Sequence, residues 1–153
     1  MECDTDFSKE SIMIIKASKL REEIKNAFPS VKSVFCEYVE LLDDQYLVPP
    51  HDEALQLILQ YWEPIKDIKW SDNIGDCDNR AIKLFSDVHW HRNLHKEEYP
   101  EEERIQWSFG FASGKNPFGN IHTFNVLRSD QGLFVFDNKI KSGTNYLPIS
   151  VRF

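Results

Sequence analysis

The stretch Gly75-Asp76-Cys77-Asp78-Asn79-Arg80-Ala81-Ile82-Lys83-Leu84-Phe85 decides how the rest of the chain is read. It passes from loop to helix at a cysteine. Ser71, Asp72, Asn73 and Gly75 ahead of Cys77 are turn formers, and Ala81, Leu84, Phe85 and Val88 after it recur at helical spacing. A cysteine in the first turn of a helix faces unpaired backbone N–H groups and the positive end of the helix dipole. Both favour thiolate over thiol, which makes Cys77 a candidate nucleophile. Asp76 and Asp78 beside it are helix-start residues first, where an acidic side chain caps the helix and complements its dipole.

A cysteine nucleophile needs a base to take its proton, and the base needs a group to orient it. The C-terminal half offers both on a strand-turn-strand unit. Asn120 to Arg128 reads as a strand, Ser129-Asp130-Gln131-Gly132 as a hairpin turn, and Leu133 to Asp137 as the returning strand. Folding about that turn sets His122 opposite Asp137 to Lys139. Directly opposed side chains lie about 5 Å apart at Cβ, within reach of an imidazole–carboxylate hydrogen bond. Alternation puts Asp137 on the face of Leu133 and Val135, and His122 on that of Phe124 and Val126. Asp137 is therefore preferred as the orienting residue and Asn138 is second choice. Asn125 is a polar residue in an apolar strand. It either hydrogen-bonds the region near Cys77 or sits on an exposed face.

The elements before Cys77 read as helices and short extended pieces. Residues 1–11 form a loose polar lead, and Ile12 to Ile15 is a short apolar run. Ser18 caps a helix with apolar face Leu20, Ile24, Ala27 and Phe28, ended by Pro29. Val34 to Leu42 and Tyr46 to Val48 are extended, with Cys36 in the core. A helix from near Asp52 buries Ala54, Leu55, Ile58, Leu59 and Trp62. The Cys77 helix runs to about Trp90, followed by a solvated excursion over 91–103. Ile105 to Ala112 alternates as a strand, Ser113 to Gly119 is a loop, and Asn145 to Phe153 is a final strand. Helices followed by an antiparallel sheet of about four strands indicate an α+β domain.

Composition sets outer bounds. At 153 residues, 41% hydrophobic and with eleven Phe, the chain supports one globular domain spanning 1–153. No apolar run reaches bilayer-spanning length, and the N-terminus lacks the features of a signal peptide, so the expected location is cytoplasmic with no membrane partner. A net charge of −7 disfavours nucleic-acid binding. Three cysteines at irregular spacing point away from a disulfide framework and from a cysteine-rich zinc site. His91 and His95 stand four apart near His89, but without a nearby cysteine they read as surface residues rather than a metal site.

Three segments carry a family resemblance. Asp76 to Ala81 is similar to a D-C-D-[DN]-x-A segment, Gly119 to Val126 to a G-x-H-A-x-N-V strand, and Gly132 to Asn138 to a strand supplying an acidic triad member. In this order they resemble the papain-like and transglutaminase-like cysteine hydrolase superfamily. The branch is that of small bacterial, phage and fungal domains such as the C-terminal protease domain of a mushroom agglutinin. The similarity covers about residues 45–140. It departs from the branch at Arg80, at Thr123, and after Asp137, where Asn138 and Lys139 follow. The resemblance implies a papain-like fold with the Cys77 helix packed on the sheet. It implies a Cys77–His122–Asp137 triad acting on an amide, ester or isopeptide bond of a peptide or protein substrate. The backbone N–H of Cys77 or Asp78 would help bind the oxyanion. Asn73, Gln56 and Gln60 are candidate side-chain donors, with Asn125 and Asn138 in support. No organic cofactor is implied. Several relatives are calcium-dependent, but no metal site maps onto this chain residue by residue. The rival readings are a non-catalytic binding or inhibitory module that keeps the fold and, more weakly, a thiol redox sensor without a resolving cysteine.

Overall fold

The computed structural model describes residues 13–31, 38–68 and 77–153, with side chains of the last segment from Asn79 onward. The architecture is α+β. Strand β1 (Ile14–Lys16) leads into helix α1 (Ala17–Ala27), followed by β2 (Val39–Glu40), β3 (Gln45–Leu47) and α2 (His51–Trp62). Helix α3 (Cys77–Leu94) then precedes β4 (Phe109–Lys115), β5 (Ile121–Ser129), β6 (Gly132–Asp137), β7 (Lys139–Lys141) and β8 (Leu147–Arg152). β1 and β3 form a small antiparallel ladder. The other six strands make one mixed sheet in the order β2-β8-β4-β5-β6-β7, in which β2 runs parallel to β8.

The central hairpin follows from local chemistry. Asp130 and Gln131 form a two-residue turn between β5 and β6, with Ser129 opposite Gly132 and Asn125 opposite Phe136. Gly132 takes φ 120°, a conformation other residues adopt only with strain. The same turn starts α2. Pro50, at the N-cap, offers no capping oxygen, so Asp130 Oδ1 accepts the backbone N–H of His51 at 3.0 Å. His51 Nδ1 lies 2.7 Å from Ser129 Oγ.

Both faces of the sheet are covered, so β5 is apolar over Phe124, Val126 and Leu127. On one side Leu20 and Ile24 of α1 pack with Phe124, Val126 and Val135. On the other, Ile58 and Trp62 of α2 and Leu84 and Val88 of α3 pack with Phe109, Leu127 and Phe136. Each such fully buried side chain contributes about 1.5–3 kcal/mol.

Several expectations are corrected. The sheet has six strands and is mixed, because two very short strands, β2 and β7, join its edges. Ser18 lies inside α1, and the N-cap is Lys16 with no side-chain cap bond. The buried stripe of α2 uses His51, Ala54, Leu57, Ile58 and Trp62, while Leu59 is exposed. The Cys77 helix continues past Trp90 to Leu94. The polar 91–103 stretch is largely exposed, as expected, but one of its residues anchors it. Arg92 is buried and donates to Ile105 O at 2.6 Å and Glu103 O at 2.9 Å, between the rings of Tyr99 and Trp107. That clamp occupies residues 103–105, and β4 begins only at Phe109 but runs on to Lys115. Asn145 is a turn residue with φ 68°, and β8 starts at Leu147. Of the strand expected over Val34 to Leu42, residues 34–37, with Cys36, lie outside the described residues.

Candidate functional site

The site forms where two strands part. The β5–β6 ladder ends at Asn125 and Phe136, while β5 continues alongside β4 to Ile121. Beyond Asp137 the chain turns at Asn138, whose φ is 69°, and returns as β7. Val126 opposite Val135 puts His122 and Asp137 on one face, as alternation predicts. His122 Nε2 lies 2.7 Å from Asp137 Oδ1. A carboxylate only accepts, so this contact places the ring hydrogen on Nε2 and leaves Nδ1 as the basic nitrogen of the neutral ring.

Asp137 is held from a second side. Tyr146 donates its hydroxyl hydrogen to Oδ2 at 2.6 Å, and Lys141 Nζ stands 3.9 Å from the same oxygen. Burial alone would push the Asp137 carboxyl up. The hydrogen bonds from His122 and Tyr146, with the charges of His122 and Lys141, outweigh it and hold the group below the usual carboxylate range. Tyr146 shifts the other way: burial, then its bond to Asp137 and that carboxylate's charge, hold its phenol well above its ordinary value.

A small cavity of about 70 Å³ opens at this point. Consecutive residues His122 to Asn125 and Phe136 to Asn138 line it, because it sits at the strand ends rather than on one face. Trp62 of α2 forms another wall, set edge-on to Phe136 with ring centroids 5.7 Å apart. Arg80 and Ala81, from the first turns of α3, complete it. Cys77 is the first residue of that helix. Its side chain, that of Asp78, and the whole of Asn73 lie outside the described residues.

The remaining candidates separate. Asn125 is buried at 2% exposure and reaches the Cys77 helix: its Nδ2 donates to Ala81 O at 2.9 Å and to Gly110 O at 3.2 Å. Both amide hydrogens are thereby engaged, which leaves none for a substrate oxyanion. Asn138 lines the cavity from an exposed turn. Gln60 and Gln56 line a different hollow with Glu53, His91 and Trp107, and the structure does not bring them to His122. His89 is partly buried rather than at the surface, bonded to Phe109 O and packed on Phe85. His91 and His95 stack with ring centroids 4.3 Å apart and bond Tyr61 Oη and Glu98 Oε2. Among the described residues no three metal-ligating side chains cluster. Tyr146, Lys141 and Trp62 escaped the sequence reading as site residues. Tyr146 carries no motif and reaches Asp137 only through the β7 return and the turn at Asn145.

No protein-family model matches the chain, and no curated protein matches it. Solved structures do. The chain takes a fold found in half of a Polyporus squamosus lectin chain. That lectin, solved bound to the human-type influenza-binding epitope Neu5Acα2-6Galβ1-4GlcNAc, aligns with a TM-score of 0.68 at 15% identity, over 92% of this chain and 49% of its own. A chain solved as the PSL1a-E64 complex aligns with a TM-score of 0.70 at 18% identity, over 92% of this chain and 51% of its own. The chain thus spans about half the length of the solved chains it matches. At this identity the likeness is one of fold.

Proposed function

We propose that the chain is a thiol hydrolase of papain-like arrangement, with Cys77 as nucleophile, His122 as base and Asp137 as orienting group. The observation that carries this is the His122–Asp137 hydrogen bond at the mouth of a cavity. That cavity also takes Ala81, one helical turn beyond Cys77, into its wall. In the reaction, His122 Nδ1 takes the thiol proton and the Cys77 thiolate attacks the carbonyl carbon of an amide or ester. The imidazolium then protonates the leaving amine or alcohol as the carbon–heteroatom bond breaks. Water, deprotonated by Nδ1, attacks the thioester and releases the acid and the thiol. Backbone N–H groups at the start of α3 suit the oxyanion. A substrate amine in place of water would make the same site an acyltransferase.

The test is alkylation of Cys77 by iodoacetamide against pH, repeated with E64, which is named with PSL1a. Half-maximal labelling well below the ordinary thiol value of about 8.5 is expected, moving up toward it in His122→Ala. Labelling that rises only near that value, unchanged by the substitution, defeats the reading.

A second reading is the one the solved neighbours favour: a non-catalytic binding module. A lectin solved with a sialylated glycan has this fold in half of its chain. On that reading Cys77→Ala binds Neu5Acα2-6Galβ1-4GlcNAc as well as the natural chain does. Failure of both proteins to bind the glycan argues against it.

A further inference from the structure

The carboxylate of Asp137 is gripped from two directions, and the second grip has no part in the Cys–His–Asp scheme. Tyr146 is buried at 4% exposure, its ring packed edge-on against Phe124 with centroids 4.8 Å apart. Its backbone N–H is tied to Gly143 O at 3.1 Å. Packing and backbone thus fix where the hydroxyl stands. The hydroxyl has one hydrogen, and Asp137 Oδ2 at 2.6 Å takes it. Lys141 Nζ, a donor only, meets the same hydroxyl oxygen at 3.3 Å. The bonds therefore run in one direction, from Lys141 to Tyr146 to Asp137, and meet there the bond given by His122.

Held by His122 alone, the Asp137 carboxylate would keep the soft, broad torsion typical of a terminal sp² group and could exchange its two oxygens. A second donor from a fixed ring removes that freedom. We infer that Tyr146 is a positioning residue: it locks the plane of Asp137 so that Oδ1 holds the Nε2 hydrogen of His122 and Nδ1 stays available as the base. The consequence for turnover rests on the thiol-hydrolase reading, whereas the effect on Asp137 and His122 does not.

The test uses the full chain with Tyr146→Phe, which keeps the ring and removes the hydroxyl. Carbon-13 NMR of the Asp137 carboxyl should show its titration midpoint rising by about one pH unit, the scale of one lost charge-assisted hydrogen bond. Nitrogen-15 spectra of His122 should show Nδ1–H tautomer appearing where the natural chain holds Nε2–H. Iodoacetamide labelling of Cys77 at pH 6 should slow severalfold. A tyrosine with only a packing role would lower the melting temperature and leave the carboxyl midpoint and tautomer in place, and that result overturns the inference. The natural chain gives a second readout that needs no folded Phe variant: the Tyr146 hydroxyl proton should be protected from solvent exchange, and free exchange overturns the inference as well. If the carboxyl and tautomer respond while Cys77 labels only near its ordinary thiol range in both proteins, Tyr146 positions Asp137 as inferred and the hydrolase reading fails.

Discussion

Asn125 fastens the strand that carries His122 to the first turn of the helix that opens at Cys77, through its Nδ2 bond to Ala81 O at 2.9 Å. The same amide group donates to Gly110 O at 3.2 Å, so one side chain ties α3, β5 and β4 together. Asn125→Ala strips two buried carbonyls of a partner and should cost about 2–3 kcal/mol, read as a lower urea midpoint. Asn125→Asp is nearly isosteric but sets acceptors against acceptors. It should lose more than the alanine variant at pH 7 and recover part of the loss near pH 4, where the carboxyl can donate. Unchanged midpoints in both variants would show that the two hydrogens carry no stability, and equal losses at both pH values would show that acceptors set against the two carbonyls carry no added penalty.

Asp137 makes a pH prediction with a definite sign. Its folded carboxyl is held below the usual range despite burial, because His122 and Tyr146 both donate to it. The unfolded carboxyl, with an ordinary value of about 3.9, binds its proton more readily. The stabilising contribution is therefore complete above that value and drains away as the pH falls through the lower folded value. Asp137→Asn should be less stable than the natural chain at pH 6 by roughly 1–3 kcal/mol, with the gap closing below pH 4. Thermal melts from pH 6 to pH 2.5 check this, and a gap of constant size would refute it.

The β5–β6 hairpin was legible because its register is local: a two-residue turn and alternating flanks leave one way to pair, and His122 with Asp137 follows. The helix start at Cys77 was legible for the same reason, since caps and periodicity are properties of neighbouring residues. The short edge strands were not. Val39–Glu40 is two residues long and finds its partner β8 at the far end of the chain. Lys139–Lys141 is a polar edge piece whose lysines guard the edge rather than announce a strand. Arg92 misled in another way. It stands in a charged run, yet its guanidinium is buried on two carbonyls, a role no composition window can show. Tyr146 belongs with these, because its contact with Asp137 depends on two turns of positive φ, at Asn138 and Asn145.

Gly110 should tolerate no side chain. A Cβ added there would stand 2.0 Å from Arg152 O and 2.9 Å from its carbonyl carbon, both backbone atoms of the neighbouring β8. Relief requires β4 and β8 to separate in the middle of the sheet. Gly110→Ala should cost about 3 kcal/mol or more and reduce soluble yield. Gly119→Ala is the control: its φ of 83° strains a side chain, but nothing lies within 4 Å of the added carbon, so the loss should be about 1 kcal/mol. Comparable urea midpoints for the two variants would contradict the close approach at Gly110.

His89 should give the fold an acid sensitivity well above the range in which Asp137 acts. Its Nε2 donates to Phe109 O at 2.8 Å, and its ring sits edge-on to Phe85 with centroids 4.6 Å apart. Burial pushes its pKa down to about 4, against the opposing effect of the Phe109 carbonyl and with a further push from Arg92. The unfolded histidine titrates at about 6.5. Between those two values the unfolded chain holds a proton that the folded chain refuses. Stability from this group is thus intact above about pH 6.5 and is lost progressively as the pH falls toward 4. The full difference is on the order of 3 kcal/mol. His89→Gln keeps a donor for Phe109 O and has no ionisable ring. It should flatten the stability profile between pH 6.5 and 4.5, and the natural chain should fall below it in relative terms as the pH drops. Urea midpoints measured at half-unit steps across that window decide the matter. Parallel profiles for the two proteins would mean that His89 takes up its proton in the folded state as easily as in the unfolded one.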